Sequence, residues 1–154
     1  MSASSDPTVF QFFNEIGIIE QLSHTLLQRS LPDGLKVSQF SVLNHLVRLE
    51  GEWSPVRLAK AFQVTKGAMT NNLQRLEKRG LVEVIDNPAD GRGKLIKITQ
   101  AGRDMRDRCV ASIGPLMAKL SDEISNADFE AALPFLEKVR QYLDSHRIYN
   151  NGVG

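Results

Sequence analysis

A mainly α-helical fold with one small β-hairpin is what this sequence predicts, and three observations predict it. Apolar residues recur at helical spacing through most of the 154 residues. Ser54 to Thr99 packs two short helical patterns, a tight turn between them, and two β-branched runs joined by a Gly/Pro loop. Amphipathic patterns at both ends of the chain carry more apolar surface than so short a module can cover. The expected architecture is a winged helix-turn-helix over residues 36–99, with a helical dimerisation region from residues 8–35 and 100–148.

The elements follow in order. Phe10 to Ser30 carries Phe13, Ile16, Ile19, Leu22, Leu26 and Leu27 on one side, and Leu31-Pro-Asp-Gly34 breaks it. Ser38 is the expected cap of a second helix with Phe40, Leu43 and Val47 on its stripe, ended by Gly51. Glu52-Trp53 reads as a short strand beside the wing. Ser54-Pro55 starts a third helix, a hydroxyl cap followed by proline at the first helical position. Thr65 caps the fourth, which carries Met69, Leu73 and Leu76 at i, i+4, i+7 and stops at Gly80. Leu81–Ile85 and Leu95–Ile98 are strand-like, with Asn87 to Gly93 between them. Thr99 caps a long helix that Gly114-Pro115 should kink or break. A last helix starts near Ser125-Asn126 with Phe129, Leu133, Leu136, Val139 and Leu143, and Pro134 should bend or separate its first turns. The tail after His146 is polar and is expected to fray.

Composition narrows the class. Hydrophobic content of 42% and charged content of 24% are those of an ordinary globular chain. No apolar run approaches the ~20 residues that span a bilayer. The start, MSASSDPT, has neither a basic segment nor an apolar core, which argues against export and for a cytoplasmic location. A single cysteine, Cys109, excludes an internal disulfide and reads as a packed small hydrophobe near the expected dimer interface. His24, His45 and His146 lie too far apart for a metal site, and no phosphate loop, nucleophile elbow or acid/base pair is present. The chain therefore reads as non-enzymatic, with no cofactor.

Net charge is only +1, but its distribution is uneven. From Trp53 to Ile98 there are nine Lys/Arg against four acids; the rest has ten against fourteen. Positive charge thus gathers on the segment that would meet phosphates. In the Thr65–Arg79 helix the apolar residues face inward, leaving Lys66, Thr70, Asn71, Gln74, Arg75 and Lys78 outside. Asn and Gln pair with the adenine edge and Lys with guanine or phosphate, so this face, entered through Thr65, is the expected reader of double-stranded DNA. At the hairpin tip Arg92 suits a narrow minor groove, with Asp90 placed to brace it. Lys94 and Lys97 are expected on phosphates. The alternative is a winged helix used only for protein–protein contact.

Three local patterns resemble the MarR (multiple antibiotic resistance regulator) family of bacterial transcription factors. They are Leu58-Ala-Lys-Ala-Phe-Gln-Val-Thr65, Asn71-Asn-Leu-Gln-Arg-Leu-Glu-Lys-Arg-Gly-Leu-Val82, and Asp90-Gly-Arg-Gly-Lys-Leu-Ile-Lys-Ile-Thr-Gln-Ala-Gly102. Asn72 departs from the family's usual apolar residue, and Gly91 from a common second wing arginine. The resemblance implies a homodimeric regulator, usually a repressor, whose wing uses its aspartate and arginine on DNA. It also implies a small aromatic or lipophilic, commonly anionic effector bound between the dimer lobe and the winged helix, for which His24, Trp53 and Met69 are the expected lining.

Overall fold

A computed structural model of the chain describes residues 5–147. The last position of the expected 100–148 region and the polar tail beyond it lie outside these. The helices are α1 (Thr8–Ser30), α2 (Val37–Arg48), α3 (Pro55–Phe62), α4 (Lys66–Lys78), α5 (Gln100–Glu123) and α6 (Asn126–Ser145). A 3-10 turn (Pro32–Gly34) follows α1, and the antiparallel strands β1 (Val82–Asn87) and β2 (Asp90–Ile98) follow α4. The chain divides into two compact units, one up to Ile113 and one from Gly114 onward.

Local chemistry explains most boundaries in the first unit. Ser54 Oγ accepts from the Arg57 N–H at 3.1 Å and Thr65 Oγ1 from the Ala68 N–H at 3.1 Å, each satisfying a donor the first helical turn leaves open. Gln63 takes a left-handed conformation (φ 53°) to end α3 and open the turn into α4. Gly80 (φ +72°) ends α4 as its position predicts. The second helix starts two residues earlier than expected. Ser38 lies inside it and Lys36 is its cap, because Gln39 Oε1 accepts from the Lys36 N–H and Gln28 Oε1 from the Val37 N–H, both at 3.0 Å. The same Gln28 donates to the Leu35 carbonyl at 2.9 Å, so one side chain of α1 stitches the α1–α2 connection. Leu49, not Gly51, caps the end of α2.

The core gathers Leu35, Val42, Leu43, Leu58, Met69, Leu73, Leu76, Leu81, Val82 and Ile96, with Met105, Cys109 and Ile113 from the first half of α5. Cys109 is wholly buried there, and burial pushes its thiol pKa up. It is a packed core residue, as its small apolar character suggests, but it lies among the winged-helix residues and presents no outer surface. Trp53 forms an antiparallel bridge to Ile96, adding a minimal third strand to the hairpin, with the Ile96 N–H donating to the Trp53 carbonyl at 2.7 Å. The base of the wing is clamped to α5: the Thr99 hydroxyl donates to the Gly80 carbonyl at 2.7 Å and accepts from the Gly102 N–H at 3.0 Å. A Cβ on Gly102 would sit 2.1 Å from the Leu81 carbonyl oxygen, so only glycine allows this approach.

Neither proline breaks its helix. Pro115 lies within a continuous α5 and Pro134 within a continuous α6. Proline removes one backbone hydrogen bond, and both sites are exposed, where water can take the freed carbonyl. In the second unit Ser125 caps α6, accepting from the Ala127 N–H at 3.2 Å. The helix buries no residue fully, and Phe129, Leu133, Leu136 and Leu143 are 40–53% exposed. In the first unit α1 is similar over most of its length: Phe10, Phe13, Ile19 and Leu22 are exposed, and only Leu27 packs against the core.

Candidate nucleic-acid interface

The helix-turn-helix divides α4 cleanly. Met69, Leu73 and Leu76 are 2%, 3% and 0% exposed, while Thr65, Lys66, Thr70, Asn71, Gln74, Arg75 and Lys78 are all exposed. The seven expected DNA-facing positions thus form one polar surface from the cap to the last turn of α4. Gly67 on that surface has open space around it. Asn72, the departure from the apolar pattern, is half-buried, and its Nδ2 donates to the Ser38 carbonyl at 3.0 Å. A polar tie between α4 and α2 thus replaces an apolar contact, a role the sequence did not reveal.

The far end of α4 is tied down by a second set of contacts. Arg79 donates from Nη2 to the Asp33 carbonyl oxygen at 3.1 Å, and Arg108 of α5 holds the Asp33 carboxylate at 2.8 Å. The Arg108 guanidinium keeps the Asp33 carboxyl below its ordinary range. Asp33 occupies the left-handed region (φ 55°) to meet both arginines.

The wing is regular at its base and irregular at its tip. Val82 pairs with Ile98 and Ile85 with Leu95, and the register shifts between Asp86 and Asn87 so that Asn87 meets Asp90. The joining turn is therefore Pro88-Ala89, shorter than the Asn87–Gly93 loop expected, with Asn87 Oδ1 accepting from the Ala89 N–H at 3.0 Å. Asp90 Oδ1 accepts from the backbone N–H of Arg92 at 3.1 Å, so it shapes the loop through the main chain and not through the guanidinium. The exposed Arg92 side chain has no partner among the described residues. Lys94 forms an ion pair with Asp86, which holds the Asp86 carboxyl below its usual range. Lys97 stands opposite Glu83 in the ladder and is exposed.

The three expected effector-lining residues do not share one cavity. His24 and Met69 line a cavity of about 380 Å³ between α1, α2 and the helix-turn-helix, with Val37, Ser41, Phe62 and Asn72. Trp53 lines a separate one of about 310 Å³ at the base of the wing. His45, weighed above only as a metal ligand, packs against one wall residue of each, Trp53 and Phe62. It lies edge-on to Trp53 at 4.2 Å and against Phe62 at 5.2 Å between ring centres, and its Nε2 is buried without a hydrogen-bond partner. Burial first, then Arg48 and Arg57, holds its pKa below the ordinary 6.5. Arg57 lies 4.5 Å over the Trp53 ring. Among the described residues no group of three or more His, Cys, Asp or Glu could hold a metal, and no helix is long and apolar enough to cross a membrane.

Comparison with known proteins agrees with this geometry. The MarR family profile matches residues 33–93. Over 146 residues, 90% of this chain and 97% of the relative, it is 32% identical to the multiple antibiotic resistance protein MarR of Escherichia coli. It also resembles the crystal structure of a cysteine-to-serine variant of that protein complexed with operator DNA. There the identity is 29% and the TM-score 0.72, covering 89% of this chain and 99% of the other. A third likeness is BpsR of Bordetella bronchiseptica, from a structural study of the regulation of its DNA binding by 6-hydroxynicotinic acid. It shows 26% identity and a TM-score of 0.70 over 84% of this chain and 98% of that one. A relative this similar across nearly its whole length, sharing the fold, leaves one assignment: the chain belongs to the MarR family, transcriptional regulators and not enzymes.

Proposed function

We propose that this chain is a cytoplasmic, ligand-responsive repressor that binds a pseudo-palindromic operator as a homodimer. The observation that carries DNA reading is the division of α4, with three core residues on one side and seven exposed polar ones on the other. Lys66, Thr70, Asn71 and Gln74 reach base edges; Thr65, Arg75 and Lys78 lie along the same surface toward phosphates. Arg92 enters the minor groove beside the recognition helix, and Lys94 and Lys97 meet the backbone. Lys94 does so by exchanging Asp86 for a phosphate. The operator complex of the E. coli relative supports this reading.

Dimerisation is supported by the apolar surfaces of α1 and α6, which are exposed in a single chain. Uncovered amphipathic helices most often meet a second copy. Two recognition helices then address half-sites about one helical turn, ~34 Å, apart. The effector site is the cavity holding His24 and Met69, where a mostly apolar wall carries a few polar groups (Ser41, Asn72, His24). The aromatic acid that regulates the relative BpsR is of the expected class. A ligand there regulates only by favouring one arrangement of α4 over another, and tenfold weaker DNA binding needs ~1.4 kcal/mol of such preference.

The test is a gel shift with DNA from upstream of the chain's own gene, with salt titration and with phenolic and carboxylated aromatics added. The expected result is a specific shift by a dimer, steeply weakened by salt and released by at least one such compound. A chain that shifts no fragment, or shifts all sequences alike, contradicts the regulator reading. A specific shift that no compound alters leaves a constitutive repressor.

A further inference from the structure

We propose that Asn72 is a positioning residue for DNA reading: its hydrogen bond to α2 fixes the posture of α4 at which Asn71 and Gln74 meet base edges. The inference deepens the DNA-binding reading above and rests on it.

The buried face of α4, Met69, Leu73 and Leu76, fixes how close the helix lies to its unit. Apolar contact is non-directional, however, and tolerates a small roll about the helix axis. A hydrogen bond demands a distance and an angle together. Among the described residues, Asn72 carries the one side-chain hydrogen bond from within α4 to another element, its Nδ2 donating to the Ser38 carbonyl in the first turn of α2 at 3.0 Å. Arg79, the C-cap, adds a second tie, to the Asp33 carbonyl at 3.1 Å. The two ties lie about two helical turns apart, and two fixed points define an axis. Both end on the short connection between α1 and α2, which is itself pinned. Gln28 of α1 bonds the Leu35 carbonyl and the Val37 N–H, and Arg108 holds the Asp33 carboxylate.

Asn72 stands apart from the reading face. It is half-buried, and one step along the helix turns it ~100° from the exposed Asn71, so its bond to Ser38 does not compete with a base. The consequence is selective. Base-edge hydrogen bonds hold over only about 2.7–3.2 Å, so a small roll of α4 breaks them. Attraction to phosphate falls slowly with distance and survives the same roll.

The experiment measures the affinity of the full chain for a fragment from upstream of its own gene and for random DNA, with salt titration and thermal melting alongside. Asn72→Leu removes the bond and puts apolar surface into a half-buried site, so its melting temperature should be no lower than the wild type's. Its affinity for the upstream fragment should fall about tenfold, with random-DNA affinity and salt slope unchanged, because no DNA contact is removed. Asn72→Gln keeps an amide donor and should recover most of the lost affinity. Asp33→Gly keeps the left-handed backbone and frees Arg108, so it should also lower the ratio of specific to random binding, although it removes an acid. The inference is overturned if Asn72→Leu keeps wild-type specificity, or if it weakens both DNAs alike in step with a lower melting temperature. A wild type that binds both DNAs alike overturns the DNA reading as well. A specific wild type beside an equally specific Asn72→Leu overturns this inference alone.

Discussion

Helices α4 and α6 carry the same kind of apolar stripe and have opposite fates. In α4, Met69, Leu73 and Leu76 are almost completely buried by α2, α3 and the wing strands. In α6, Phe129, Leu133, Leu136 and Leu143 remain 40–53% exposed. The difference is one of neighbours and not of pattern. The short turns through Gln63 and Gly80 return the chain onto α4 from both sides, so its apolar face is covered locally and its polar face is held for an external ligand. Among the described residues nothing covers the apolar stripe of α6 in this way, and the proposed function gives it a second copy of the chain. In the proposed function, the helix satisfied at home is the one that reads DNA, and the one left uncovered is the one that dimerises.

Breaking the unsatisfied helix should have the largest effect. Leu133→Asp with Leu136→Asp places two charges on the proposed interface while removing no buried residue. The expected result is a folded monomer by light scattering, with operator affinity lower by orders of magnitude because the second half-site is lost. Breaking the satisfied region instead should cost fold stability. Gly102→Ala drives a methyl into the Leu81 carbonyl, and overpacking of this kind costs about 3 kcal/mol. Thermal melting should show a large drop, with the dimer retained at temperatures where the chain is folded.

A smaller effect sharpens the same contrast. His45 belongs to the first unit's packing and titrates there. Its pKa is depressed in the folded chain, so the unfolded chain takes the proton more readily, and its contribution is complete above about 6.5 and lost as the pH falls below that. His45→Phe keeps an aromatic ring beside Trp53 and Phe62 and removes the unpartnered nitrogen. It should stabilise the protein by about 1 kcal/mol and flatten the loss of melting temperature between about pH 7 and pH 5. A melting profile with the same acid slope as the wild type would remove His45 as its cause.

What the sequence disclosed follows the range of the interactions involved. The caps at Ser54, Thr65, Thr99 and Ser125 were readable because each bond spans two or three residues. The inward and outward faces of α4 were readable because helical periodicity is local. The start of α2 lies before Ser38 because a lysine cap is held by Gln39 and by Gln28 from another helix, and the second of these left no local trace. That Pro115 and Pro134 leave their helices unbroken is not local information either, since proline's penalty depends on whether water can satisfy the freed carbonyl. The three expected lining residues show the same limit of local reading. His24 and Met69 meet across 45 positions of chain, but Trp53 belongs to another cavity, and nothing in their spacing distinguishes the two. The Asp33–Arg108 and Asp33–Arg79 contacts, which fix the end of α4, join residues 75 and 46 positions apart and left no local trace.

The most direct test of the central claim is the affinity of Asn71→Ala for the operator and for random DNA, measured side by side with Lys94→Ala. If the exposed face of α4 reads bases, Asn71→Ala costs about 1–3 kcal/mol on the operator and almost nothing on random DNA, so specificity falls. Lys94→Ala should weaken both alike and flatten the salt dependence. Equal losses on operator and random DNA in Asn71→Ala would contradict the assignment of base reading to α4.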